Sequence, residues 1–184
     1  MRILIADDES IIRMGLKRML QEMGHEVVAA KNGRLALQLA RQHNPDLAIL
    51  DIHMPYTDGL QAAKTLSRTQ PLPILLLTAY SEADLIDQAT DLPIQGYLVK
   101  PIEPAELAAA IAIARKRFDE SQALIRQTAV LQENLETRKL VEQAKGHLMQ
   151  TMGLNEKAAY QTLQKVARDK RLSMADVAKA VLKG

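Results

Sequence analysis

Leu47-Ala48-Ile49-Leu50-Asp51-Ile52-His53-Met54-Pro55 is an apolar run that stops at a single carboxylate and then breaks at proline. Runs of about four to eight apolar residues between turn signals read as strands buried on both faces, as in parallel sheets covered by helices. Asp51 therefore stands at the carboxyl end of a strand, the edge where open α/β sheets bind ligands. The plainer use of one such acid is to cap a loop. Three other stretches point further. Ile3-Leu4-Ile5-Ala6 ends in Asp7-Asp8-Glu9, Ile74-Leu75-Leu76-Leu77 ends in Thr78-Ala79, and Gly96-Tyr97-Leu98-Val99 ends in Lys100-Pro101. The strand ends thus deliver a carboxylate cluster, a lone carboxylate, a hydroxyl and an ammonium, which together suit a metal and a phosphoryl group.

Between these strands the pattern turns helical. Ile11, Ile12, Leu16, Met19 and Leu20 recur at helical spacing after the first strand, and Gly24 closes that segment. A second strand is expected over about residues 25–30. Asn32-Gly33 then opens a helix with Leu35, Ala36, Leu39 and Ala40 on one face, and Asp58-Gly59 opens another from Leu60 to about Thr69. Ser81-Glu82-Ala83-Asp84 reads as a capped start for a helix reaching about residue 90, and the fifth strand is expected over residues 95–99. Strand and helix alternate five times, which predicts an α/β fold: a parallel sheet between helices, joined by right-handed crossovers.

The chain has 184 residues, enough for a domain of about 115 to 120 residues and a small partner. Residues 1–114 carry 10 Lys and Arg against 14 Asp and Glu, a net of −4, whereas residues 115–184 carry 14 against 8, a net of +6. An acidic front and a basic back suggest two modules, the second with a polyanionic partner. Absence of cysteine excludes disulfides and thiolate metal sites. His25, His43, His53 and His147 show no ligand spacing. With neither a leader-like start nor an apolar run of about twenty residues, a cytoplasmic protein without membrane contact is expected.

Asp7, Asp8 and Asp51 offer hard oxygen ligands of the kind Mg²⁺ prefers. Asp51 would be the nucleophile, accepting a phosphoryl group as an acyl phosphate. Its approach to an anionic donor is repulsive until the metal and Lys100 neutralise the phosphoryl oxygens, and the Thr78 hydroxyl could donate to one of them.

Asp7-Asp8-Glu9, Asp51 with Met54-Pro55 and Asp58-Gly59, Thr78-Ala79 and Lys100-Pro101 closely resemble the motifs of response-regulator receiver domains, over residues 1–116. The resemblance implies a flavodoxin-like, doubly wound five-stranded sheet of order 2-1-3-4-5 and phosphorylation at Asp51 by a sensor histidine kinase. It also implies Mg²⁺ held by Asp8, Asp51 and the main-chain carbonyl of His53, with Asp7 acting largely through water. A cis Lys100-Pro101 peptide is implied, as is a switch in which Tyr97 turns inward when Thr78 moves toward the phosphate. Ile102 departs from the phenylalanine common after Lys-Pro. Haloacid-dehalogenase-type phosphatases also place a nucleophilic Asp after a buried strand, but they need an acid two residues later, where this chain has His53. A phosphoacceptor is therefore expected, with no enzymatic activity beyond loss of its own phosphoryl group.

Past Pro104, apolar residues at Leu107, Ile111, Ala114, Phe118, Ile125, Leu131 and Leu135 predict one long helix leaving the receiver. Its stripe over residues 117–135 reads as a connector that either pairs with a second copy as a coiled coil, in a homodimer formed on phosphorylation, or folds back on its own chain. Three compact helical patterns follow. Leu140, Val141, Ala144 and Leu148 belong to the first; Asn155 caps the second and Ser173 the third. A helical bundle for partner binding is the plain interpretation, and the basic residues tilt it toward nucleic acid.

Ala144-Lys145-Gly146, Leu148-Met149, Ala158, Tyr160, Leu163, Ala167, Ala175, Ala178 and Val181 resemble the ANTAR domain, an RNA-binding antitermination module, over residues 136–184. The resemblance implies binding of RNA hairpins in the leaders of nascent transcripts, blocking terminator formation and so affecting RNA polymerase indirectly. Lys145, Arg168, Lys170 and Arg171 are the RNA-contact candidates, chosen by charge and motif position. A DNA-binding response regulator and a phosphorylation-dependent protein-interaction adaptor are the alternatives.

Overall fold

The computed structural model describes residues 1–79 and 92–183. Its elements are β1 (Arg2–Ala6), α1 (Ser10–Glu22), β2 (Glu26–Ala30), α2 (Gly33–His43), β3 (Leu47–Asp51), α3 (Gly59–Thr69), β4 (Ile74–Thr78), β5 (Gly96–Val99), α4 (Pro104–Met152), α5 (Glu156–Lys170) and α6 (Met174–Lys183). The helix expected from Ser81-Glu82-Ala83-Asp84 lies outside the described residues.

All strand pairs are parallel and the order is β2-β1-β3-β4-β5, the flavodoxin-like order the receiver resemblance implies. Every residue of β3 and β4 is buried, as a central strand covered on both faces demands. Because side chains alternate along a strand, Leu4, Ala48, Leu50 and Leu76 pack under α2 and α3, while Ile3, Ile5, Ile49 and Leu75 pack under α1 and the first turns of α4. Leu107, Ile111 and Ala114 supply the α4 part of that second core. Strand β5 begins one residue later than expected, at Gly96, and Gln95 before it serves as a brace. Its side chain accepts from the Ile74 N–H (2.7 Å) and donates to the Pro93 carbonyl (3.0 Å).

Local chemistry sets the helix starts. Asn32, Asp58 and Asn155 each accept a hydrogen bond from the N–H three residues on, filling a donor the first turn would leave orphaned. Ser173 does the same for Asp176 (3.1 Å).

Two compact units result, Met1–Ser121 and Gln122–Gly184. In the second, Val141, Ala144 and Leu148 of α4 pack with Ala159 and Leu163 of α5 and Val177 and Ala178 of α6. The first of the three tail helices is thus the end of α4, which continues without a break through residues 116, 135 and 146. Gly146 is tolerated inside it, although glycine costs about 1 kcal/mol relative to alanine in a helix interior.

Candidate functional site

Sheet register brings the strand ends together. Ala6 lies beside Leu50, Asp51 beside Leu77, and Thr78 beside Val99, so Asp7, Asp51, Thr78 and Lys100 all stand at one edge. Carboxylate oxygens of Asp7, Asp8 and Asp51 lie within 4.8 Å of one another; Asp7 and Asp51 are buried and Asp8 is exposed. The Lys100 ammonium reaches across, 2.9 Å from Asp7 Oδ2 and 3.0 Å from Asp51 Oδ1, with Glu9 Oε1 at 3.6 Å. Thr78 is buried and its hydroxyl donates to the Ala79 carbonyl (3.1 Å). His53 is exposed two residues past Asp51, Tyr97 is half exposed on β5, and the Lys100-Pro101 peptide is cis.

Burial dominates the electrostatics of Asp51. Desolvation disfavours its charged form and, with smaller contributions from Asp7 and Asp8, outweighs the contact with Lys100, so Asp51 is pushed up to about 6. Lys100 shows the opposite balance: burial would lower it, but its contacts with Asp7 and Asp51 hold it raised. Asp7 Oδ2 is sealed from solvent and held by the Lys100 ammonium at 2.9 Å. The clustered carboxylate oxygens offer a hard cation the donor set it prefers.

Two positioning features have little sequence signal. Arg13, on the first turn of α1, folds back so that Nη1 donates to the main-chain carbonyls of Asp7 (2.7 Å) and Asp8 (3.2 Å), pinning the acidic turn. Gly59, just after the Asp58 cap, lies against the end of β3, where an added Cβ would meet the Asp51 carbonyl oxygen at 2.1 Å. Any side chain there would displace the strand end that carries Asp51. The same loop holds Tyr56 in the left-handed region at φ 72°, uncommon for a non-glycine residue.

In the second unit the four basic candidates part company. Arg168 and Lys170 are exposed on the last turn of α5, and Arg171 caps that helix in the left-handed conformation. Lys145 is only 7% exposed; its ammonium pairs with Glu142 (2.9 Å) and Glu156 (2.7 Å), tying α4 to the start of α5.

A doubly wound parallel sheet of this order, with clustered acids, a buried Asp, a Thr and a Lys on its carboxyl edge, defines a receiver, a phosphoacceptor domain rather than a catalyst with turnover. The chain belongs to the response regulators: residues 3–112 match the response regulator receiver domain and residues 129–182 the ANTAR domain. It is 46% identical over 182 residues to the transcriptional regulatory protein PdtaR of Mycobacterium tuberculosis, spanning 98% of this chain and 89% of that one. Solved receiver structures agree. The REC domain of AraT from Geobacillus stearothermophilus aligns at TM-score 0.59 and 35% identity, over 66% of this chain and 97% of its own. Chemotaxis protein CheY4 of Vibrio cholerae aligns at 0.57 and 31%, over 60% and 95%. A receiver joined to an ANTAR domain is a phosphorylation-regulated, RNA-binding antitermination architecture. No described helix is long and apolar enough to cross a membrane.

Proposed function

We propose that Asp51 accepts a phosphoryl group from a sensor histidine kinase, and that this event governs capture of an RNA hairpin in a transcript leader by the tail. The carrying observation is the Lys100 ammonium held within 3.0 Å of both buried acids, Asp7 and Asp51. An Asp51 carboxylate oxygen forms the new bond to phosphorus as the bond from phosphorus to the donor imidazole nitrogen breaks. The product is an acyl phosphate and a free histidine. Lys100 balances charge on the phosphoryl oxygens, and the Thr78 hydroxyl turns from Ala79 to donate to one of them. Asp8, Asp51 and the His53 carbonyl would hold Mg²⁺, with Asp7 acting through water, and the ion would supply further neutralisation of the transferring group. Tyr97, half exposed on β5, turns inward as Thr78 moves.

Residues 1–116 are the receiver in this reading, 117–135 the connector and 136–184 the output module, acting in the cytoplasm. Leu124, Ile125, Val130, Leu131 and Leu135 are exposed within the connector, a surface a second copy would cover on phosphorylation. Sedimentation of the phosphorylated and unphosphorylated chain should show a heavier species in the first. One unchanged monomer in both states rejects dimerisation as the switch.

Arg168, Lys170 and Arg171 are the proposed phosphate contacts; Lys145 joins them only by leaving Glu142 and Glu156. An antiterminator should prefer a structured RNA hairpin to duplex DNA of matching sequence, because the loop offers splayed bases and 2′-hydroxyls that DNA lacks. Arg168→Ala should weaken hairpin binding and reduce its salt slope by about one contact. An anisotropy competition in which duplex DNA displaces the hairpin at equal concentration would overturn the RNA assignment and favour a DNA-binding output.

A further inference from the structure

Residues 122–184 contain a single Phe, Tyr or Trp, Tyr160. Its neighbour Ala159 is fully buried in the small core of this unit, yet Tyr160 itself is 42% exposed. A tyrosine buries roughly 150–250 Å², more than any Ala, Val or Leu in that core contributes, so leaving the ring half in water forgoes stabilisation the unit could have used. Two surface grooves open beside it. One, of about 590 Å³, is lined by Lys145, Asn155, Glu156 and Lys157; the other, of about 330 Å³, includes Asn134, Arg138 and Glu142. Tyr160 is the one residue that lines both.

We infer that Tyr160 is a stacking platform for an unpaired base of the RNA loop, with the two grooves taking that nucleotide and the next. The inference rests on the RNA reading above and adds a site to it, away from Arg168, Lys170 and Arg171. Every base presents a π face, and sequence-specific RNA recognition works chiefly by stacking splayed bases on aromatic rings while hydrogen-bonding their edges. The groove walls carry the groups for both tasks. Lys157 and Arg138 are cations for the flanking phosphates, and Asn134 is an amide for a base edge. Glu142 and Glu156 would repel phosphate, but Lys145 lies between them and cancels one of their two charges, and Lys157 and Arg138 outnumber the one that is left. That gives Lys145 a part in RNA binding without a direct phosphate contact.

The test uses the full-length chain, unphosphorylated and phosphorylated with acetyl phosphate and Mg²⁺, and a pool of RNA hairpins with one fixed stem and a randomised loop, from which a retained hairpin is taken as probe. Tyr160→Leu keeps apolar bulk and removes the π face, and should weaken Kd by about 5- to 100-fold. Tyr160→Trp should bind within about threefold of the parent, since stacking is restored. Replacing loop nucleotides singly by abasic sites should weaken the parent chain at one position and leave Tyr160→Leu unaffected there, a coupling that loss of folding alone does not produce. Equal binding by Tyr160→Leu and the parent, or abasic losses of the same size in both, overturns the stacking site while RNA binding stands. Failure of the parent chain to retain any hairpin over duplex DNA, both before and after phosphorylation, removes the RNA reading itself, and this site with it.

Discussion

Asp51→Asn is expected to abolish phosphorylation by a small phosphodonor. Incubated with acetyl phosphate and Mg²⁺, the parent chain should gain one hydroxylamine-labile phosphoryl group by mass spectrometry, and the variant none. The amide is nearly isosteric but has no anionic oxygen to attack phosphorus, while Asp7, Asp8 and Lys100 remain in place. Lys100→Met separates the proposed nucleophile from its counter-charge: Asp51 is intact, but the ammonium proposed to balance the phosphoryl oxygens is gone. A preorganised charge of this kind is worth about 10²–10³-fold in rate. Undiminished labelling of Asp51→Asn would move the acceptor elsewhere, and undiminished rate in Lys100→Met would strip the ammonium of its proposed role.

The second large effect concerns acidity in the metal-free chain. Asp51 ordinarily titrates at 3.8 and is pushed up to about 6 in the fold, chiefly by burial. Between those values the folded chain holds a proton that the unfolded chain gives up. Stability is therefore fully present below about pH 4 and is lost as pH rises through 6, by up to about 3 kcal/mol. Mg²⁺ favours the ionised carboxylate, so it should raise the melting temperature strongly at pH 7.5 and little at pH 5. Asp51→Asn removes the titrating group, and the metal-free variant should melt higher than the parent at pH 7.5 and nearly alike at pH 4. Circular-dichroism melts of both proteins across this range, with and without Mg²⁺, read the difference directly. Parallel curves would mean that Asp51 is not held against its ionised form.

How much of this was legible in the sequence depends on how local each signal is. Four apolar runs ending at Asp7, Asp51, Thr78 and Lys100 disclosed both the sheet and the convergence at its edge, because burial and chain direction are written into adjacent residues. The caps at Asn32, Asp58, Asn155 and Ser173 were legible for the same reason. Arg13 was not: its guanidinium meets the Asp7 and Asp8 carbonyls only after the first turn of α1 folds back over them. Gly59 was readable as a helix start, but its closeness to the Asp51 carbonyl depends on packing between β3 and α3. Lys145 was chosen by charge and motif position, but its ion pair was not legible: its partner Glu156 lies eleven residues on, across a turn no periodicity registers. The seam between α4 and the tail was hidden as well, since a connector and a core helix obey the same spacing.

Helix α4 contributes Leu107, Ile111 and Ala114 to one core and Val141, Ala144 and Leu148 to another. That double service fixes where the polypeptide can be severed. A cut among its first turns strips a wall from beneath the sheet, and a cut beyond Val141 removes a wall from the smaller unit. Residues 123–136 belong to neither core and are exposed throughout. A break there leaves each fragment with every apolar side chain its own interior requires, although the second family match begins at residue 129, midway along that span.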